Sequence, residues 1–168
     1  MLPLLPGLSL AAKAPATPEE AAAFCEALMV DPATAMTGLE RADTRLLDAG
    51  IERQLHLSGE GFALTIVENL EGDLWTARCF VDVRDSGEGG YAAVRARFDA
   101  MKAQRIAAGT HAARPTSSEE ASAYAATAPN DRGCAVVTKL GRAKDGYLLS
   151  VEESGACGGP SLTMGPVE

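Results

Sequence analysis

The side chains with the greatest chemical reach in this sequence are four cysteines, Cys25, Cys79, Cys134 and Cys157, and two histidines, His56 and His111. The cysteines are even in number and widely spaced. No CxxC pair occurs, so a thioredoxin-type or zinc-ribbon site loses its main support, and no CxxCH occurs to hold a haem. Such cysteines read as a disulfide framework, the mark of an oxidising compartment, with three pairings open on count alone. The histidines form no HExxH, no pair at helical spacing and no cluster with cysteine. His56 sits between Leu55 and Leu57 in a strand pattern, and His111 falls in a loop after a long helix. No G-x-S-x-G elbow and no S-x-x-K is present for nucleophilic catalysis.

Three further constellations have a structural reading that outweighs the chemical one. Gly87-Glu88-Gly89-Gly90 joins a strand to a helix, where a phosphate loop would lie, but Asp85 and Glu88 make it acidic and no lysine follows. Asp82, Asp85 and Glu88 carry cation-ligand chemistry without the spacing of a calcium loop. Glu19-Glu20 and Glu119-Glu120 stand at expected helix starts, where acidic groups complement the helix dipole, and Glu152-Glu153 ends a strand at the surface. No cofactor and no metal site are expected.

The elements that position these residues follow from periodicity. Thr17-Pro18-Glu19-Glu20 predicts a helix start with a capping box. Ala21, Phe24, Cys25 and Leu28 then form one buried face, and Asp31-Pro32 ends the helix near Met29. Residues 33–50 are ambiguous, with Leu39 to Ala49 reading as a short helix stopped by Gly50. Three strands follow: Ile51 to Leu57, weakly alternating, then Phe62 to Glu68 and Leu74 to Val83. In the third, Trp75, Ala77, Cys79, Val81 and Val83 share the core face. Cys25 faces inward from its helix and Cys79 inward from its strand, so these two pair. A helix from about Tyr91 to Ala107 carries the stripe Tyr91, Val94, Phe98 and Met101. Ser117-Ser118-Glu119-Glu120 predicts a shorter helix through about Thr127. Cys134 to Leu140 and Tyr147 to Glu152 make a last hairpin around the turn Gly141 to Gly146. Cys134 opens this hairpin and Cys157 trails it, so their bond clamps its base. The two hairpin regions are loosely alike, without a convincing repeat.

The outward sheet face is the least bland surface. It carries Thr65, Val67, Thr76, Arg78 and Phe80, with Leu148 and Ser150 beside them. This mixture of apolar groups, one aromatic and one arginine suits a protein partner. It equally suits cover by residues 31–50 or by the glycine-rich tail.

The chain has 168 residues, 46% of them hydrophobic and 23% charged, with a formal charge of −8. That is an ordinary globular composition on the scale of a single domain. The acidic balance argues against a nucleic-acid binder or a polybasic membrane-surface protein. Residues 1–14 are apolar through Leu10 and end in Ala12-Lys13-Ala14, which resembles the second half of a secretory signal peptide without its basic region, or else is an apolar arm. It is too short to span a membrane. Residues 15–168 are expected to form a single α+β domain: an antiparallel sheet of about five strands with helices mainly on one face, or a curved sheet wrapped around the long helix. The expected role is that of an exported, periplasmic or secreted, non-catalytic binding or accessory domain stabilised by two disulfides. The alternatives are a small exported hydrolase using scattered carboxylates or His56, and a cytosolic thiol or metal protein.

Overall fold

Thr17 opens the first helix as its sequence requires. Its hydroxyl accepts the Glu20 N–H at 3.1 Å, Pro18 takes the first helical position, and helix α1 runs Pro18–Val30. The Glu20 carboxylate accepts the N–H of Ala16 at 2.7 Å, one residue before the cap. Asp31 ends α1, and a new helix, α2, covers Pro32–Thr37. The structure, a computed structural model, describes residues 14–37, 39 and 44–163. The expected leader therefore lies outside the described residues except for Ala14.

Eight strands follow: β1 Thr44–Asp48, β2 Glu52–Gly59, β3 Phe62–Glu71, β4 Leu74–Val83, β5 His111–Arg114, β6 Ser122–Ala126, β7 Ala135–Ala143 and β8 Gly146–Ser154, with helix α3 Gly87–Ala107 between β4 and β5. They form one antiparallel sheet in the order β1-β2-β3-β4-β8-β7-β6-β5. The α+β class stands, but the sheet has eight strands rather than about five.

The additional strands correct three expectations. The helix expected over Leu39 to Ala49 is replaced, within the described residues, by the edge strand β1, whose segment pairs with β2. The helix expected after Ser117 is absent as well. Its start signal survives only as a turn, in which the Ser118 hydroxyl accepts the Glu120 N–H at 3.2 Å. The alanine-rich stretch beyond becomes β6, because it fills the place between β5 and β7 and buries Ala123, Tyr124 and Ala125 in succession. Tertiary pairing overrides alanine's helix preference there. The last hairpin is longer than expected, since its turn is only Lys144–Asp145 and Gly141 and Arg142 belong to β7.

The strands repeat where the sequence does not. β1–β4 and β5–β8 are two meanders that meet at the β4–β8 pair. The turn Gly72–Asp73 between β3 and β4 is matched by Lys144–Asp145 between β7 and β8. The same offset carries Trp75 onto Tyr147, Ala77 onto Leu149 and Cys79 onto Val151. Cys79 and Val151 pair with each other, so the centre of the pattern lies between them. A Cβ at Gly146 would stand 1.8 Å from the Val83 carbonyl oxygen, so only glycine lets β8 start this close to β4.

All described cover lies on the Cys79 face. Helix α1 lies over β4 and β8, and α3 lies over the half of the sheet that holds β5 to β8. Cys25 joins α1 to Cys79 of β4 with a Cα–Cα distance of 5.5 Å, as the inward faces of the two elements predict. The core collects Leu28, Leu64, Ile66, Val81, Leu140 and Val151 on this side, together with Leu39.

The C-terminal segment is also fixed there. Cys134 bonds Cys157, Gly159 bridges Trp75, and Ser161, Leu162 and Thr163 converge on Glu68 of β3. The Glu68 carboxylate is fully buried and accepts the Leu162 N–H at 2.5 Å and the Ser161 and Thr163 hydroxyls at 2.7 and 2.6 Å. Each hydrogen bond from a neutral donor to such a buried charge offsets part of its desolvation. The glycine-rich tail of the sequence is therefore a structural strap through Thr163.

Closing loops separated by 54 and 23 residues stabilises the chain by about 4 and about 3 kcal/mol on the loop-entropy scale. Urea unfolding of the Cys25→Ala/Cys79→Ala and Cys134→Ala/Cys157→Ala variants should rank in that order, with the first losing more. The reverse ranking would show that chain entropy is not the main contribution of these bonds.

Candidate functional site

Sheet register decides which side chains share a face. Thr65 pairs with Phe80, Val67 with Arg78, and Asn69 with Thr76, all on the side opposite Cys79. The structure thus brings Thr65, Val67, Thr76, Arg78 and Phe80 together, and all five are partly exposed. Ser150 stands directly opposite Phe80, and Leu148 pairs with Asp82. The Arg78 guanidinium lies 5.7 Å from the centre of the Phe80 ring. That is the geometry of a cation–π contact, which holds the arginine down on the face.

Register extends this patch further than alternation alone reveals. One row runs His56, Thr65, Phe80, Ser150, Lys139, Ala123, Arg114 across seven strands. It contains two cations and a histidine and no carboxylate, on a chain whose formal charge is −8. The neighbouring row sets Arg78 opposite Glu152 and continues through Val137. Residues 32–37, Leu39 and the tail to Thr163 lie on the helix side, so within the described residues the cover considered for this face lies on the other one.

The histidines are separated by the sheet. His56 lies on the open face, its ring nitrogens 3.1 Å from the Thr65 hydroxyl and 3.0 Å from the Gln54 amide oxygen. His111 begins β5 rather than sitting in a loop, and its ring meets Tyr124 edge-on on the helix side at 5.2 Å. Burial and the Arg105 charge lower its pKa, with Glu26 opposing. Neither histidine is placed to act with the other.

The helix side holds a charge network. Arg105 of α3 donates two hydrogen bonds to Glu26 of α1, at 2.8 and 2.9 Å. The Tyr124 hydroxyl donates to Glu26 at 2.8 Å and accepts from Arg105 at 2.7 Å. Burial works to raise the Glu26 pKa, but the hydrogen bonds from Arg105 and Tyr124 and the arginine charge outweigh it, and the pKa is lowered. Burial and the Glu26 charge push the Tyr124 phenol well up. A looser pair, Glu19 and Arg97 at 3.7 Å, joins the same two helices nearer their starts. Glu19 precedes Glu26 as Arg97 precedes Arg105, so α1 and α3 run side by side in the same direction. Between them lies a cleft of about 290 Å³, floored by Val81, Leu140 and Leu149 and flanked by Val94, Phe98 and Met101.

Several carboxylates serve the fold. Glu153 is buried rather than at the surface: it accepts the Ala77 N–H at 2.9 Å, the Asn130 amide at 2.8 Å and the Arg132 guanidinium at 2.9 Å. Glu119 and Glu120 stand in the turn before β6, not at a helix start. The glycine-rich loop is the first turn of α3, and among the described residues no three His, Cys, Asp or Glu side chains converge as metal ligands. All four cysteines are in disulfides, so the thiol alternative has no thiol to act through. Among the described residues, no helix is long and apolar enough to cross a membrane.

Because the folded chain keeps Glu26 charged at lower pH than the unfolded chain does, its contribution to stability is complete above about 4.5, the ordinary carboxylate value, and drains as pH falls through the lowered one. Unfolding free energies of wild type and Glu26→Gln measured from pH 7 to pH 3 should therefore converge towards the acid end. Parallel curves would show that Glu26 is not held by this network. The chain matches no family model, no curated protein and no solved structure in the comparisons made.

Proposed function

We propose that this chain is an exported, non-catalytic binding or accessory domain that docks a protein partner on the open face of its sheet. The observation that carries the reading is the asymmetry of that sheet. The described helices and the C-terminal strap all lie on one face, while the other presents Thr65, Val67, Thr76, Arg78 and Phe80 in register. A partly exposed aromatic beside an arginine is the composition that anchors protein interfaces. The row holding Lys139 and Arg114 favours a partner with acidic groups opposite it. Two disulfides support export, because such bonds persist where thiols are oxidised. His56 supports docking better than hydrolysis, since both ring nitrogens are engaged by neighbouring strand residues.

A photo-crosslinking residue at Thr65 or Thr76, expressed in the native host, tests the reading. A discrete protein adduct is expected in the extracytoplasmic fraction, together with its loss in Arg78→Glu while the melting temperature is kept. Crosslinking of equal strength from the exposed helix position Ala103, or none from the sheet, would refute the assignment of the face.

A further inference from the structure

The face of α1 turned toward α3 is built from Glu19, Ala22, Ala23 and Glu26, at the i, i+3, i+4, i+7 spacing of one helical stripe. The facing stripe of α3 holds Val94, Arg97, Phe98 and Met101. Small residues on one helix leave the space between the helices unfilled, and the result is the cleft of about 290 Å³. Its volume is at the lower end of small-molecule sites, roughly 300 Å³ and upward.

The two ends of the cleft differ. At the inner end Glu26, Arg105 and Tyr124 satisfy one another, so no charge there seeks a partner. At the outer end Glu19 and Arg97 are 3.7 Å apart and 68% and 64% exposed, so Arg97 is free to turn to another anion. Tyr147 lines the same cleft and is buried there, and its phenol adds an O–H donor to that end. One carboxylate therefore faces two donors, and the balance favours an anionic guest over a cationic one.

We propose that this cleft binds a free fatty acid, with its alkyl chain along the sheet floor between α1 and α3 and its carboxylate at Arg97 and Tyr147. Along α1 the lining runs from Glu19 to Glu26, about 10 Å at the rise of an α-helix, which suits a chain of roughly nine carbons. This site is independent of the docking face, which lies on the other side of the sheet.

Isothermal titration calorimetry of the oxidised full chain with hexanoate, octanoate, decanoate and dodecanoate tests it, each acid kept below its aggregation concentration. The affinity should rise about fourfold per methylene, the value of burying one CH₂, and level off beyond decanoate. Arg97→Gln should weaken decanoate about tenfold and leave decanol unchanged, in line with the loss of a charge-assisted pair. Ala22→Phe should abolish binding by filling the cleft. Met101→Trp fills it from the opposite helix and serves if the first variant does not fold. Asp73→Ala, in the β3–β4 turn at the far end of the sheet from Tyr147, should bind as wild type does. Affinity that is flat with chain length, or that survives both filling variants, would overturn the proposal. Tighter binding of decylamine than decanoate would overturn the assignment of the head group. Binding of phosphatidylglycerol vesicles without decanoate would mean that the site takes a membrane surface instead of a free acid.

Discussion

The pairing of β4 with β8 is the constraint on which the rest of this structure depends. Among the described residues it is the only strand pairing between the two meanders, and it unites strands far apart in sequence, Arg78 to Val83 with Tyr147 to Glu152. Cys79 and Val151 pair within it, both fully buried. The disulfide from Cys79 to Cys25 then fixes α1 over that seam, so one covalent bond ties the first helix to the midpoint of the whole sheet. Gly146 belongs to the same arrangement, since a side chain there would meet the backbone of Val83.

Once α1 is stapled to the seam, the two sheet faces acquire different fates. The helix side must satisfy every polar group it buries. It meets most of that demand with carboxylates used as sockets, while the Ser86 hydroxyl at the start of α3 is buried with no partner among the described residues. Glu68 receives the C-terminal strap, Glu153 receives Asn130 and Arg132, and Glu26 receives Arg105 and Tyr124. The opposite face has fewer such demands, with Ser150 its one buried polar side chain among the described residues. It keeps a half-exposed, mixed surface with its aromatic and cationic groups held in register. The separation explains how one sheet offers two unlike surfaces, a broad uncovered face on one side and a narrow cleft between helices on the other.

Much of the framework was legible in the residues. The bounds of β4, the start of α1 and the inward direction of Cys25 and Cys79 all follow from local rules, and the disulfide pairing follows from them. The weak alternation of β2 also has a cause. Arg53 occupies a core-face position and is buried there, bonded to Asp48 at 2.6 Å and to Thr163 at 3.0 Å. Its partner Thr163 is 110 residues away, so no local pattern can announce it. The same holds for β1, β5 and β6, which are short, edge-proximal or alanine-rich and are decided by the strand they meet rather than by their own preference. The open face was legible as a set of residues but not as a surface. Alternation places Thr65, Val67, Thr76, Arg78 and Phe80 on one side, while only register adds His56, Lys139 and Arg114 to it. The cleft was not legible at all, since Ala22 and Ala23 signal nothing until α3 is seen beside them.

Hydrogen exchange resolved along the sheet tests the central claim, that β4 and β8 join two meanders into one cooperative unit. The account predicts that the amides of Cys79, Val81, Leu149 and Val151 exchange most slowly of all and only through global unfolding, with β1 and β5 fraying first at the edges. If β1–β4 and β5–β8 instead exchange as two separate units, each with its own opening free energy and with the β4–β8 amides no better protected than the rest, the seam is not what holds this protein together.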